Sequence, residues 1–274
     1  MDEKEYLTDA FAREAVAFIE RHHNAPFFLM VTFNAVHNPT QATSKYLDRF
    51  ASITDPLRKT LAARLSAMDD AVGAILQKLR DAGVHDDTLI FFFSDNGGPT
   101  DKNGSRNDPL SGFKGEVREG GIRVPFLMQW KSRLPAGRTY EQPVIALDIH
   151  PTCLAAARAR TPIPPDKLLD GVNLLPYVRG DESAAPHEYL YWRFGRRLAV
   201  RRGGYKLVRI GDREQLFDLE TDPTESSDLS MQKADVAREL GAALDKWNAE
   251  LKPPAWGSPA QQRRSPVAPA RRAR

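Results

Sequence analysis

Cysteine is almost missing: the 274 residues hold one, Cys153. A single thiol excludes an internal disulfide framework and any zinc site built from several cysteines. Long apolar runs are missing too. No stretch approaches the roughly 20 residues that a transmembrane helix needs. The opening Met1-Asp2-Glu3-Lys4-Glu5 lacks the apolar core of a signal peptide. No membrane partner is expected, and the compartment is left open. A strong charge of either sign is also lacking, with 39 Lys and Arg against 36 Asp and Glu. The small basic excess collects at the end, where residues 261–274 hold Arg263, Arg264, Arg271, Arg272 and Arg274 and no acid. Without interleaved aromatics this tail reads as a solvated, disordered segment, and no nucleic-acid partner is expected.

What is there is an ordinary globular composition, 41% hydrophobic and 27% charged, with a mean hydropathy of -0.48. The length suits one large domain, or one with a small companion. The most informative stretch is residues 87–126. It opens with an apolar, β-branched run at 88–93, which reads as a strand buried on both faces. The run stops at Ser94-Asp95-Asn96-Gly97-Gly98. Asp95 and Asn96 thus stand at the C-terminal end of a strand, the rim where open α/β sheets bind ligands. Both offer hard oxygens, which suit Ca²⁺ or Mg²⁺, although such an ion wants about six or more ligands. Taken alone, Asp-Asn-Gly-Gly is equally a turn sequence. A polar, glycine-rich excursion follows, through Gly112-Phe113-Lys114-Gly115 to Glu119-Gly120-Gly121-Ile122-Arg123-Val124-Pro125-Phe126.

These segments, in this order and spacing, resemble the sulfatase family. Its members carry a Ser-Asp-Asn-Gly-Gly strand end, a lysine in a glycine-rich loop, and then Glu-Gly-Gly-x-Arg-Val-Pro. The resemblance continues elsewhere. Residues 26–33, Pro-Phe-Phe-Leu-Met-Val-Thr-Phe, read as a second buried strand, followed by His37-Asn38-Pro39, which is similar to the family's His-x-Pro. Asp148-Ile149-His150-Pro151-Thr152, residues 169–176 and residues 215–225 are similar to further family segments.

Helical periodicity predicts one helix from Thr8 to about Arg21 and a long amphipathic helix from Asp55 to Gly83. Strand, helix, strand in that order implies a parallel crossover. The expected fold is therefore α/β, a mostly parallel central sheet flanked by helices in the alkaline-phosphatase-like manner. Short runs near 189–194, 197–201, 205–210 and 215–219, separated by Gly195, Gly203-Gly204 and Gly211-Asp212, read as hairpins. They predict a small C-terminal antiparallel sheet, with a packed helix over 234–251. The domain boundaries read as 1–185 for the α/β part, 186–257 for the antiparallel part and 258–274 for the basic tail.

The resemblance implies a sulfuric ester hydrolase acting on a sulfated small molecule or glycan. Asp95 and Asn96 match metal ligands for Ca²⁺ or Mg²⁺. Lys114 matches the lysine that contacts sulfate, and His37 the histidine near it. Arg123 matches a structural position, expected as a buried ion-pair partner. The family's nucleophile is a formylglycine made within Cys/Ser-x-Pro/Ala-x-Arg. Cys153 fails that pattern, because Ala157 stands where arginine is required, and Ser111, Ser132 and Ser265 fail it too. This chain is thus expected to supply no nucleophile. The paired aspartates that complete the family's metal site are missing as well. The resemblance is to the C-terminal portion of a sulfatase, a fragment inactive alone, with the formylglycine expected upstream. Two other readings stay open: a phosphodiesterase or phosphonate monoester hydrolase of the same superfamily, and a non-catalytic chain whose rim binds an ion or anion.

Overall fold

The computed structural model describes residues 5–159 and 169–253. The proline-rich run 161–165, which the sequence marks as a linker, the tail at 258–274, and Pro254 and Trp256, expected to pack the end of the last helix, lie outside the described residues. In chain order the elements are α1 (Leu7–His22), α2 (Ser44–Leu47), α3 (Pro56–Asp81), β1 (Ile90–Phe93), α4 (Thr100–Asn103), α5 (Glu119–Ile122), β2 (Phe126–Gln129), α6 (Ile149–Ala156), α7 (Leu175–Arg179), β3 (Leu190–Phe194), β4 (Arg197–Arg202), β5 (Tyr205–Ile210), β6 (Arg213–Asp218) and α8 (Ala234–Glu250). The chain divides into two compact units. One comprises the described residues of Met1–Asn107 and Arg123–His187, the other those of Asp108–Ile122 and Glu188–Arg274.

In the first unit α1 lies against α3. Helix α1 buries Ala10, Ala15 and Ile19, with Phe11 and Phe18 half-buried beside them. Helix α3 starts where Asp55 accepts a hydrogen bond from the Arg58 amide at 2.7 Å, with Pro56 in the first turn. Its Ala63 and Ala67 are small enough to let Tyr46 of α2 sink to full burial against them. Asp70, on the outer side, is held by two bonds from Arg49, at 3.0 and 2.7 Å.

Strand β1 pairs with β2, and the pairing is antiparallel, Ile90 opposite Gln129 and Phe93 opposite Phe126. This corrects the expected mostly parallel sheet: both sheets among the described residues are antiparallel. Residues 26–34 form no regular secondary structure and join no ladder. Their side chains alternate between half-buried and exposed, with Phe28 71% and Met30 68% exposed, so the expected strand buried on both faces is not found. The physical reason is that an apolar run sets a strand's tendency to extend but leaves its hydrogen-bonding neighbour unspecified. A 3₁₀ turn at Ala146–Asp148 leads into α6.

The second unit holds a four-stranded meander, β3-β4-β5-β6, each strand antiparallel to the next. Period-two alternation sorts its side chains onto two covered faces. Val200, Leu207 and Leu216 meet Leu240 and Leu244 of α8. Ala199, Val208 and Phe217 meet Val117, which comes from the 108–122 segment. Burying each such leucine or valine stabilises the fold by about 1.5–3 kcal/mol.

Candidate functional site

His37 follows the 26–34 segment and is exposed. Its Nδ1 lies 2.7 Å from the Asn38 carbonyl oxygen. A carbonyl only accepts, so Nδ1 carries the proton and Nε2 is the ring atom left for a ligand. The backbone beneath is fixed from two sides. The Arg64 guanidinium of α3 donates through Nη2 to the His37 carbonyl. Asn103, also buried, donates through Nδ2 to the Val36 carbonyl at 3.5 Å. Arg64 is 3% exposed, and its Nη1 has no hydrogen-bond partner. Burial lowers its pKa, opposed by the Tyr6 hydroxyl beside it. Nothing in the sequence beyond a charge on the buried side of α3 marked this residue.

Asp95 and Asn96 stand at the end of β1, as the sequence predicts. Asp95 is exposed; the half-buried Asn96 donates through Nδ2 to the Gly97 carbonyl at 3.3 Å, and its Oδ1 is an acceptor. The turn is closed rather than loose. Ser94 donates its hydroxyl to the Asn96 carbonyl at 2.9 Å, and its amide to the Pro125 carbonyl at 3.2 Å. Asn107 exchanges two bonds of 3.0 Å with the backbone of Gly98. The two residues suit a hard cation by donor chemistry but not by number. Among the described residues no group of three or more His, Cys, Asp or Glu side chains is arranged to hold a metal. The expectation of metal binding is corrected accordingly: two oxygens fall well short of the about six an alkaline-earth ion requires.

Lys114 belongs to the second unit. Its loop turns at Gly112 and Gly115, with φ of 87° and 88°, where a side chain would be strained. The loop folds back onto Gly120 and Gly121. A Cβ on Gly120 would sit 2.4 Å from the Gly112 carbonyl oxygen, and one on Gly121 2.3 Å from that of Glu116. Glycine is required there because backbone occupies the space. The Arg197 guanidinium holds the Gly115 carbonyl at 3.2 Å. The buried ion pair expected of Arg123 falls instead to its neighbour Glu119; Arg123 is exposed. Glu119 lies 2.7 Å from Lys206 of β5, and Lys206 is 2.9 Å from Glu225. All three are buried. The acid-rich 218–225 turn is no calcium loop: Asp222 accepts from the Thr224 hydroxyl at 2.7 Å and from the amides of Ser226 and Ser227 at 2.8 Å, which lowers its pKa.

Cys153 lies half-buried in α6, where burial raises its thiol pKa, the opposite of an activated nucleophile. One further buried pair escaped sequence reading. Asp148 is fully buried and accepts from His187 Nε2 at 2.9 and 3.0 Å, and from the amides of Ile145 and Val172 at 2.8 Å. It organises the 145–174 region, and its only sequence signal was a helix-start motif.

Comparison with known proteins agrees along most of the chain. A family model for sulfatase matches residues 1–159, and one for the N-sulphoglucosamine sulphohydrolase C-terminal region matches 114–250. Mouse steryl-sulfatase is 33% identical over 68% of this chain and 30% of its own length. The uncharacterized sulfatase YdeN of Escherichia coli is 34% identical over 69% of this chain and 34% of its own. The crystal structure of Ps i-CgsB superposes with a TM-score of 0.86 at 35% identity, covering 93% of this chain and 58% of that one. The same protein in complex with k-i-k-neocarrahexaose gives 0.88, at 34% identity and 96% and 59% coverage. A phosphonate monoester hydrolase of Agrobacterium radiobacter, at 24% identity and a TM-score of 0.54, shares the fold alone.

The chain spans about a third of the length of these curated relatives. The matches nevertheless correct the expectation of a C-terminal fragment. The sulfatase model is matched from residue 1, and the two Ps i-CgsB structures cover 93–96% of the chain. Sulfatase domain thus runs along nearly all of it. No helix among the described residues is long and apolar enough to cross a membrane. With a family model matched over more than half of its residues, the chain belongs to the sulfatase family.

Proposed function

We propose that this chain serves the hydrolysis of sulfate esters of a glycan, with Lys114 and His37 as the sulfate-contacting groups. The observation that carries the reading is the closed turn at the end of β1, which presents the Asp95 carboxylate and the Asn96 amide at a strand end. Both residues, like Lys114 and His37, occupy the positions at which the family's motifs place these roles. The sugar class is supported by a relative of 34% identity whose structure holds a neocarrahexaose.

Asp95 and Asn96 occupy the positions at which the family's motifs put metal ligands, but two oxygens do not make an ion site, and no step is routed through an ion here. The family's formylglycine has no matching motif in this sequence, so the roles assigned here are binding and charge neutralisation. Lys114 brings a positive charge to the sulfate oxygens. His37, its Nδ1 committed to Asn38, meets the substrate through Nε2.

The test titrates the chain by calorimetry with a sulfated oligosaccharide and with the matching phosphate and phosphonate esters. The expected result is binding of the sulfate ester that Lys114→Ala or His37→Ala weakens by about tenfold or more. Tighter binding of the phosphorus esters would transfer the chain to another reaction class. No binding of the sulfated oligosaccharide would sink the reading.

A further inference from the structure

We infer that Glu225, acting with Ser111, Glu119 and Lys206, is a clamp that positions the Lys114 loop. The inference rests on the proposed role of Lys114. One oxygen of Glu225, Oε2, accepts from the Ser111 hydroxyl at 2.7 Å and from the Glu119 amide at 2.8 Å. A single atom therefore ties both ends of the loop that carries Lys114. The other oxygen, Oε1, faces the Lys206 ammonium at 2.9 Å as an ion pair without hydrogen-bond alignment. Lys206 in turn donates to Glu119 at 2.7 Å. Arg118 adds a bond to the Glu225 carbonyl at 3.2 Å and one to Gln215 at 2.7 Å.

Three charged side chains are taken out of water here, and Lys206 is 0% exposed. Stability alone gives little reason for this, since apolar side chains of similar volume commonly serve as well or better. What apolar side chains cannot do is accept an amide and a hydroxyl hydrogen bond at fixed points on a loop. The bonds all fall on the loop backbone or on neighbours of Lys114. Among the described residues no hydrogen bond or ion pair engages the Lys114 ammonium itself. A held backbone around an uncommitted cation is the arrangement a substrate-contacting lysine requires. Glu225 is thus a positioning residue and touches no substrate.

The experiment has two readouts on the full chain. The first is hydrogen exchange of the amides of 111–121, with those of β4 and β5 as the control. Glu225→Leu, which removes the atom that accepts both bonds, is expected to speed exchange in 111–121 by about tenfold or more while the strands stay protected. Unchanged exchange in 111–121 overturns the clamp. Should Glu225→Leu lose the sheet as well, Ser111→Ala decides: faster exchange confined to the loop supports the clamp, and none overturns it. The second readout is calorimetric binding of the sulfated oligosaccharide. Glu225→Leu is expected to weaken it by about tenfold, and the double variant with Lys114→Ala should fall no further than Lys114→Ala alone. Additive losses overturn the positioning role. An unsubstituted chain that does not bind counts against the role of Lys114, and exchange alone then decides the clamp.

Discussion

The two units solve the same problem, a sheet and its apolar faces, with opposite means. In the first, β1 and β2 are separated by residues 94–125, and four residues of each make the whole ladder. Phe92, Phe93 and Leu127 of these strands stay exposed. In the second, every strand pairs with its neighbour in sequence, and both faces are covered, one by α8 and one by Val117 and its surroundings. The lesson is that local connection gives a dense core cheaply, whereas pairing across a long excursion leaves apolar surface in water and is slower to form.

Substitutions can break or sharpen this contrast. The largest effect is expected from Lys206→Met, which strands two carboxylates inside the second unit and should destabilise it by about 3–5 kcal/mol in urea unfolding. The exposed Arg49–Asp70 pair of the first unit is the control, where Asp70→Ala should cost no more than about 1 kcal/mol. Equal costs would erase the distinction. Leu244→Ala, under the meander, should cost about 2–5 kcal/mol.

Asp222→Ala should cost about 1 kcal/mol at neutral pH, the usual worth of a side-chain cap. The folded pKa of Asp222 lies below its unfolded value, through the Thr224 hydroxyl first and then the Ser226 and Ser227 amides. Its contribution is therefore complete above the unfolded pKa and fades as pH falls through the folded one. Melting at pH 7 and at about pH 3 should show the variant's deficit shrinking in acid. The smallest change belongs to Phe28→Ser and Met30→Ser, within about 0.5 kcal/mol of the parent, with self-association in light scattering reduced. A large loss of stability there would show that residues 26–34 are packed in solution.

The same contrast decides how much was legible beforehand. Helices α1 and α3 announced themselves by apolar spacing and by Asp55-Pro56, and the meander by its glycine-marked turns. All of these signals lie within a few residues of what they determine. The direction of the β1 pairing did not, because β2 and residues 26–34 are both suitable partners by composition. At the candidate site, Asp95, Asn96, Lys114 and His37 are named from motifs alone. Arg64, Glu225 and the Asp148–His187 pair could not. Each is a polar group whose meaning comes from a partner far along the chain, such as His187 for Asp148, 39 residues on.

The clamp also has a history in time. Glu119 leaves the ribosome 87 residues ahead of Lys206. At synthesis speeds of roughly 5–20 residues per second, the wait is roughly 4–17 seconds. Throughout it the lysine-bearing loop exists as nascent chain without its anchor. The loop that carries Lys114 is therefore among the last parts of the second unit to take its final form, because the residues that fasten it are made after it.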